Sequence, residues 1–501
     1  MESSRPNIKA LLVYPKHPET FWSFKHVLKF IGKKATLPPL GLLTVASLLP
    51  KEWAKKLIDM NVDVLNDENI QWADYIFISA MVVQKESVGE IIKRCKKFHK
   101  KIVAGGPLFT AGYEGSAAID YFVLGEAEVT LPLFLEDLKK GTLKHIYVSQ
   151  EKPDLKQTPL PSWDLIDFKK YLSMNIQYSR GCPFDCEFCD ITTLFGRVQR
   201  TKSAGQVILE LEALYDRGWR DGIFFVDDNF IGNKERLKKE ILPALIEWRK
   251  EKGYPFSFTT EASVNLADDD QLIDLMVEAG FGSVFLGIET PDNDCLAECG
   301  KFQNKNRDLV SCIKKIQRKG MQVLGGFIVG FDSDKPSIFE RQIKFIQQSG
   351  ITTAMVGLLT APRNTKLYYR LLKEKRLLRD TLGNNTVDGS INFIPKMNLK
   401  TLVRGYQNIV STIYSPKCYY QRIINFLENF RPAVRRKVYF HFYYVKSFFR
   451  VVWLLGIKEK ERLHFWKLIF WALVRRPKSL PLAISFTIQG YHFRKVFEKH
   501  I

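Results

Sequence analysis

Arg180-Gly-Cys-Pro-Phe-Asp-Cys-Glu-Phe-Cys-Asp190 is the stretch that decides how this chain is read. Its Cys182, Cys186 and Cys189 stand at C-x3-C-x2-C spacing, which puts three thiolates on one tight loop. Such a loop can hold three irons of a [4Fe–4S] cluster. No fourth Cys lies within the run, so one iron is left open to a substrate or cofactor, as in open catalytic metal sites. A structural zinc ion is the competing use of these thiols. It would need a fourth Cys or His at suitable spacing, and none follows nearby.

On the C-terminal side the loop is followed by apolar runs alternating with helical patterns. Six strands are expected: 176–179, which precedes the loop, then 222–227, 256–260, 284–288, 323–329 and 354–360. Three of the helices between them are expected to end on Gly218, Gly280 and Gly320. Carboxylates stand where strands stop: Asp227 and Asp228 after the second, Glu261 after the third and Glu289 after the fourth. A carboxylate just past an apolar strand can accept bonds from hydroxyls or an ammonium, or it can serve as a helix cap or loop ion pair.

The N-terminal side is a second alternating unit. Strands are expected at 9–15, 73–80, 101–107 and 120–125, with helices after the second and fourth. This implies a parallel sheet with helices on both faces, whose ligands bind at the carboxyl ends of the strands. Those ends carry Ser79-Ala-Met81-Val, Gly105-Gly106 and Gly125-Glu126.

The cysteine spacing, with aromatic Phe188 before the last Cys, resembles the signature of the radical S-adenosylmethionine (radical SAM) family. In that family the cofactor chelates the open iron and is cleaved to a 5′-deoxyadenosyl radical. The resemblance implies that Phe188 lies against the adenine and that Asp228, Glu261 and Glu289 contact the cofactor. Gly325-Gly-Phe-Ile-Val-Gly-Phe331 is similar to the family's glycine-bearing fifth strand. Six βα units are fewer than a closed eight-fold barrel and resemble the family's open six-strand barrel.

Set before such a barrel, the N-terminal unit resembles the cobalamin-binding domain of the class B radical SAM methyltransferases. Ser79, Met81, Gly105, Gly106, Gly125 and Glu126 are its implied cobalamin contacts. The Asp-x-His-x-x-Gly motif, whose His ligates cobalt, is absent here, as in many radical SAM relatives. The cluster run continues through Thr192-Thr-Leu-Phe-Gly-Arg-Val-Gln-Arg-Thr-Lys202, and Gly383-Asn-Asn385, Arg404-Gly-Tyr406 and Ile413-Tyr-Ser-Pro416 follow. These resemble the hopanoid 2-methylase-like subgroup and its C-terminal domain of uncharacterised function.

The fold class expected is therefore α/β. Residues 1–150 form a Rossmann-like cobalamin-binding domain, 151–171 a linker, 172–374 a partial (β/α)6 barrel and 375–501 a helical domain. The implied function is cobalamin-dependent C-methylation of an unactivated carbon in a lipid or other small molecule. Its cofactors are a [4Fe–4S] cluster, S-adenosylmethionine and cobalamin. Its electron donor is a reductase or a ferredoxin or flavodoxin. Radical C–C bond formation, cyclisation or oxidation without methyl transfer is the alternative within enzymes.

Composition bounds the rest. The 501 residues carry 46% hydrophobic and 26% charged side chains, as soluble globular proteins do. Eight Cys are too sparse for a disulfide scaffold and suit a reducing cytoplasm. The start MESSRPNIKA lacks the apolar core of a signal peptide, and no run reaches the length that spans a bilayer. The net charge is +21, and residues 431–501 alone hold 16 Lys+Arg, 3 Asp+Glu and 16 aromatics. Basic plus aromatic fits a membrane surface, a nucleic acid or a solvated helical face. No RNA-binding module is visible, which disfavours a nucleic-acid-modifying enzyme. A peripheral membrane contact is expected through 451–457, 465–474 and 480–488, flanked by Arg435, Arg436, Lys437, Arg475 and Arg476. The competing expectation is that these aromatics form the last domain's own core.

Overall fold

The computed structural model describes residues 8–112, 116–432 and 442–500. Two six-stranded parallel sheets, one after the other in the chain, organise it. The first contains β1 (Lys9–Tyr14), β2 (Ala54–Asp59), β3 (Tyr75–Ser79), β4 (Lys101–Gly105), β5 (Tyr121–Val123) and β6 (Ile146–Tyr147). Its order is β2-β1-β3-β4-β5-β6. The central strands read as near-continuous apolar runs because helices cover both faces: Ala10, Leu11, Leu12 and Val13 are all buried. The chain turns to opposite sides of β1 after β1 and after β2, so the switch point lies between β1 and β3. Parallel sheets of this kind open a ligand crevice outside the carboxyl ends of such strands. Tyr14 and Ser79 end these two strands.

After a connection ending near Tyr171, the second sheet begins. It is built from β7 (Met174–Ile176), β10 (Gly222–Phe225), β11 (Ser257–Ala262), β12 (Phe281–Glu289), β13 (Gln322–Val329) and β14 (Ala354–Leu358). Each strand adds beside its predecessor, in the order β14-β13-β12-β11-β10-β7. Helices such as Leu242–Glu251 and Asp270–Ala279 pack outside, as an open barrel requires. Side chains alternate along the strands. The outward ones, Phe225, Phe258 and Val284, are buried beneath helices, while the inward Phe224, Thr259, Glu261 and Phe285 are only half-buried. The barrel therefore encloses a partly open lumen.

The first barrel strand lies slightly earlier than the sequence predicts. Residues past Ile176 leave the barrel sheet, and β8 (Ser179–Arg180) pairs antiparallel with β9 (Arg200–Thr201). The cause is Asp227, whose carboxylate accepts from the backbone N–H of Tyr178 (3.2 Å) and of Ser179 and draws that turn over the barrel mouth.

Beyond β14 the chain is mostly helical, as expected. Helices Leu399–Ile413 and Pro416–Asn429 pack against the barrel helix Ile338–Ser349. Asn385 Nδ2 donates to Leu358 O at 2.5 Å and covers the open edge of β14. The last helix, Leu480–His500, packs against Lys25–Ile31 of the N-terminal unit. There Phe493 stacks on Phe21 with centroids 4.4 Å apart. Arg435, Arg436 and Lys437 lie outside the described residues. Among the described residues no helix is long and apolar enough to cross a membrane.

Candidate active site

The three cysteines follow β8 on a loop at the barrel mouth. Gly181 begins it at φ 94°. A Cβ there would sit 2.9 Å from Val198 O and 3.0 Å from Gly196 O, so only glycine lets the loop start this way. Its N–H donates to Asp228 (3.0 Å), while Cys182 N–H donates to Gly196 O (3.3 Å). Glu187 N–H donates to Cys299 O at 2.9 Å, and Leu367 N–H to Glu187 O at 2.9 Å. The Glu187 side chain pairs with Arg370 (2.5 Å), which also reaches Asp332 (2.9 Å). The loop is therefore held from the barrel and from the segment after it.

Burial pushes all three thiols up, Cys189 to about 12. Cys182 and Cys186 lie close enough to Cys189 to perturb it electrostatically. A [4Fe–4S] cluster spreads its thiolates over separate irons, which suits three thiols sharing a loop. Asn229 lies beside Cys182, with Nδ2 3.9 Å from Sγ, and its own Oδ1 is buried without a partner. The donor set fits the cluster.

Around this loop the carboxylates predicted at strand ends gather, each in a different state. Asp227 is fully engaged by the turn before the loop, accepting also from Ser179 Oγ at 2.5 Å, and burial raises it to about 7. Burial likewise raises Asp228 to about 6. Glu261 points into the lumen and accepts no hydrogen bond from the described residues. Burial, then the neighbouring charges of Asp228 and Asp227, lift it to about 7. It is a carboxylate poised for a cation or hydroxyl brought by a ligand.

Glu289 sits at φ 65°, a strained backbone for a glutamate, at an irregularity between β12 and β13. Its carboxylate is paired with Lys301, and both side chains are nearly buried. Burial alone would lower the Lys301 ammonium, but Glu289 and Cys186 outweigh it and leave the ammonium well above its ordinary value. The pair lies over Gly287, where a Cβ would meet Lys301 Nζ at 2.5 Å. Sequence reasoning missed Lys301 and Asn229. A Cys-Gly-Lys following the fourth strand's helix was the one signal for the first, and Asn229 was hidden beside the two aspartates. Phe188 is partly buried and faces Phe331, their centroids 6.3 Å apart. Cys295 donates to Asp334 (3.2 Å) and, like Cys299, is buried.

At the carboxyl edge of the first sheet the predicted residues divide. Gly106 holds φ 88°, and a Cβ there would strike Ser79 Oγ at 2.5 Å. Gly105 packs against Val123 O in the same way. Over Gly125 there is open space, and Met81 is exposed. A cleft runs from this edge past Val82, Leu108 and Thr110 to Asp190 and Leu194 beyond the cluster loop. Its lining mixes apolar Val82, Leu108 and Leu194 with the charged Lys85, Asp190, Arg363 and Asp380. His17, the imidazole following β1, has Nε2 3.1 Å from Tyr14 Oη.

Glu126 is the exception. It is buried and paired with Arg180 (2.8 Å) and Arg200 (2.8 Å), while Glu128 takes the other arm of Arg180 (2.7 Å). Burial alone would raise Glu128, but Arg180 reverses it and holds the carboxyl below its ordinary range. Arg180 immediately precedes the cluster loop. These ion pairs thus tie the sheet domain to the cysteine loop, and they occupy the Glu126 carboxylate.

A parallel α/β domain set against an open barrel that carries a three-thiol loop at its mouth defines the class as an iron–sulfur barrel enzyme with an added ligand-binding sheet domain. Comparison with known proteins agrees. Residues 33–135 match the B12 binding domain, 176–346 the radical SAM superfamily and 365–501 a domain of unknown function. An uncharacterised methyltransferase of Synechocystis sp. is 42% identical over 97% of this chain and 91% of its own. The hopanoid C-2 methylase of Rhodopseudomonas palustris is 31% identical over 95% of this chain and 91% of its own. The solved structure of the cobalamin-dependent S-adenosylmethionine radical enzyme OxsB with aqua-cobalamin shares the fold. Its TM-score is 0.63 at 15% identity, covering 99% of this chain and 80% of that one. The chain belongs to the cobalamin-binding radical SAM methyltransferases. Its cofactors are a [4Fe–4S] cluster, S-adenosylmethionine and cobalamin.

Proposed function

We propose that this enzyme methylates an unactivated carbon of a small, largely apolar acceptor of the lipid class. The observation that carries the reading is the lumen. The inward side chains of its wall are Phe224, Phe285, Leu324 and Met355 together with Asn175, Thr259, Ser283 and Gln322, of which Thr259 and Ser283 share a 2.6 Å hydrogen bond. Trp22 reaches this wall from the loop after β1, donating Nε1–H to Met355 Sδ (3.0 Å) and meeting Phe285 edge-on at 5.7 Å. The apolar side chains of this wall suit contact with a hydrophobic molecule. The relation to a hopanoid C-2 methylase over most of both chains supports the same class.

When bound, the cluster and S-adenosylmethionine supply a hydrogen-abstracting radical, and cobalamin supplies a methyl carrier. The chain's residues position them. Cys182, Cys186 and Cys189 hold the cluster. Asp228 and Glu261 would receive the polar groups of S-adenosylmethionine, with Phe188 toward its adenine, and Glu289 would do so as a pair with Lys301. Ser79, Met81, Gly105, Gly106 and Gly125 form the cobalamin edge, and Glu126 locks the two sites together. The division of labour follows the chain: 1–150 for cobalamin, 172–374 for the radical site and 375–501 beside the acceptor. A flavodoxin, a ferredoxin or a reductase delivers the electron. Peripheral contact with a membrane surface belongs to the same reading.

The test is anaerobic incubation of reconstituted enzyme with S-adenosylmethionine, a reductant and polycyclic terpenoid lipids, followed by mass spectrometry. The reading predicts a lipid product heavier by one CH2 unit. A product of unchanged carbon count, joined, cyclised or oxidised, would overturn it.

A further inference from the structure

Helix Arg462–Arg475 is apolar on both sides, which a soluble domain does not require. One stripe, including Phe465, Leu468 and Ala472, is buried against its neighbours. The opposite stripe is exposed: Leu463 at 78%, Trp466 at 46% and Phe470 at 71%. The preceding arm, Phe442–Lys458, is helical throughout and repeats the pattern, with Phe449, Trp453 and Ile457 exposed at helical spacing. The two arms form one hairpin, tied where Trp466 Nε1 donates to Gly456 O at 2.9 Å. A single helix thus carries an apolar core face inside and an aromatic face outside.

The charges around this face are predominantly positive, with half-exposed Glu459 the one acid among them that is not buried. Arg450, Lys458, Lys460, Arg462, Lys467 and Arg475 are exposed, and none is ion-paired among the described residues. Of the two acids nearby, Glu461 is buried against Arg494. The outer helix of 14 residues is about 21 Å long, short of a hydrocarbon core of roughly 30 Å. It can lie in a membrane surface but cannot cross it. A two-fold contact with a second copy would set this basic rim against itself. Exposed Trp, Phe and Leu among Lys and Arg instead match the headgroup boundary of an anionic bilayer.

We propose that the hairpin 447–478 is a docking face for anionic lipid bilayers, which gives the C-terminal domain of unknown function a role. The hairpin also rests on the helix that follows Trp22. Ser447 Oγ donates to Phe30 O at 2.8 Å, within Lys25–Ile31. The docked face is thus one short helix from the side chain that enters the lumen.

Co-sedimentation of the full chain tests this with vesicles of phosphatidylcholine alone and of phosphatidylcholine with phosphatidylglycerol. Binding to the mixed vesicles that salt weakens is expected. The triple variant Trp453→Gln, Leu463→Gln, Phe470→Gln changes only exposed side chains and should lower binding at least tenfold with unchanged circular dichroism. Lys458→Gln, Lys460→Gln, Arg462→Gln should remove the preference for anionic vesicles. Failure to bind either vesicle at low salt overturns the proposal, as does binding indifferent to both variants. A dimer that the apolar variant dissociates, with no vesicle binding, would assign the face to a second copy and equally overturn it. The measurement uses no turnover, so it stands or falls apart from the identity of the acceptor.

Discussion

Replacing Glu261 with Gln should make the cofactor-free protein more stable at alkaline pH while weakening its hold on S-adenosylmethionine. Glu261 is a carboxylate without a partner among the described residues, raised from 4.5 to about 7 by burial and by Asp228 and Asp227. That displacement corresponds to roughly 3 kcal/mol at about 1.4 kcal/mol per tenfold. The side chain borders an open lumen, so solvent screening cuts this to about 1–2 kcal/mol. The sign is fixed by linkage. A group whose folded pKa is raised contributes stability that is full below its unfolded value, here near 4.5, and lost as pH rises through about 7. Wild type should therefore weaken between these limits, and Glu261→Gln should remove that part of the slope. For a cooperative unit of roughly 200 residues the gain at pH 8 is about 2–8 °C in Tm. Thermal unfolding of both proteins at pH 5 and pH 8, with calorimetric titration of S-adenosylmethionine into the reconstituted forms, reads both effects. A variant no more stable at pH 8 than at pH 5, relative to wild type, would refute the electrostatic reasoning. Undiminished cofactor binding would refute the assignment.

Other consequences are equally direct. Lys301→Met strands the buried Glu289 carboxylate and should cost about 3–5 kcal/mol, while adding Glu289→Gln should restore much of it; thermal unfolding of the three variants orders them. Asp332 is held at about 2 because Arg376 and Arg370 outweigh its burial. Its support of the cluster loop should be complete above about pH 4 and lost toward pH 2, so urea midpoints of wild type and Asp332→Asn should converge over that window. Cobalamin bound to the reconstituted chain should show no nitrogen splitting from a protein imidazole by electron paramagnetic resonance, and His17→Ala should leave the spectrum unchanged.

Much of this was legible in the sequence, for identifiable reasons. β1, β3 and β4 are buried on both faces, so their apolar runs stand out. β2 was missed because an edge strand with one partner tolerates Lys55 and Lys56, and β6 because two residues make no pattern. The early end of the first barrel strand depends on Asp227, some fifty residues away, which no local window contains. The site shows the same division. Cys182, Cys186 and Cys189 declare themselves by spacing. Glu126 does not: its place at a strand end suggests a ligand, and only the folded chain brings Arg180 and Arg200 to it. Lys301 is invisible for a similar reason, since its meaning is the Glu289 carboxylate that the turn after β12 brings to it.

The central claim is that one loop of three thiols carries the chemistry. Iron content and 5′-deoxyadenosine formation should be measured anaerobically for the reconstituted wild type and for Cys182→Ala, Cys186→Ala, Cys189→Ala together. The account predicts about four irons and cofactor cleavage in the first, and neither in the second. A triple variant that keeps its iron and still cleaves S-adenosylmethionine would place the cluster elsewhere and contradict it.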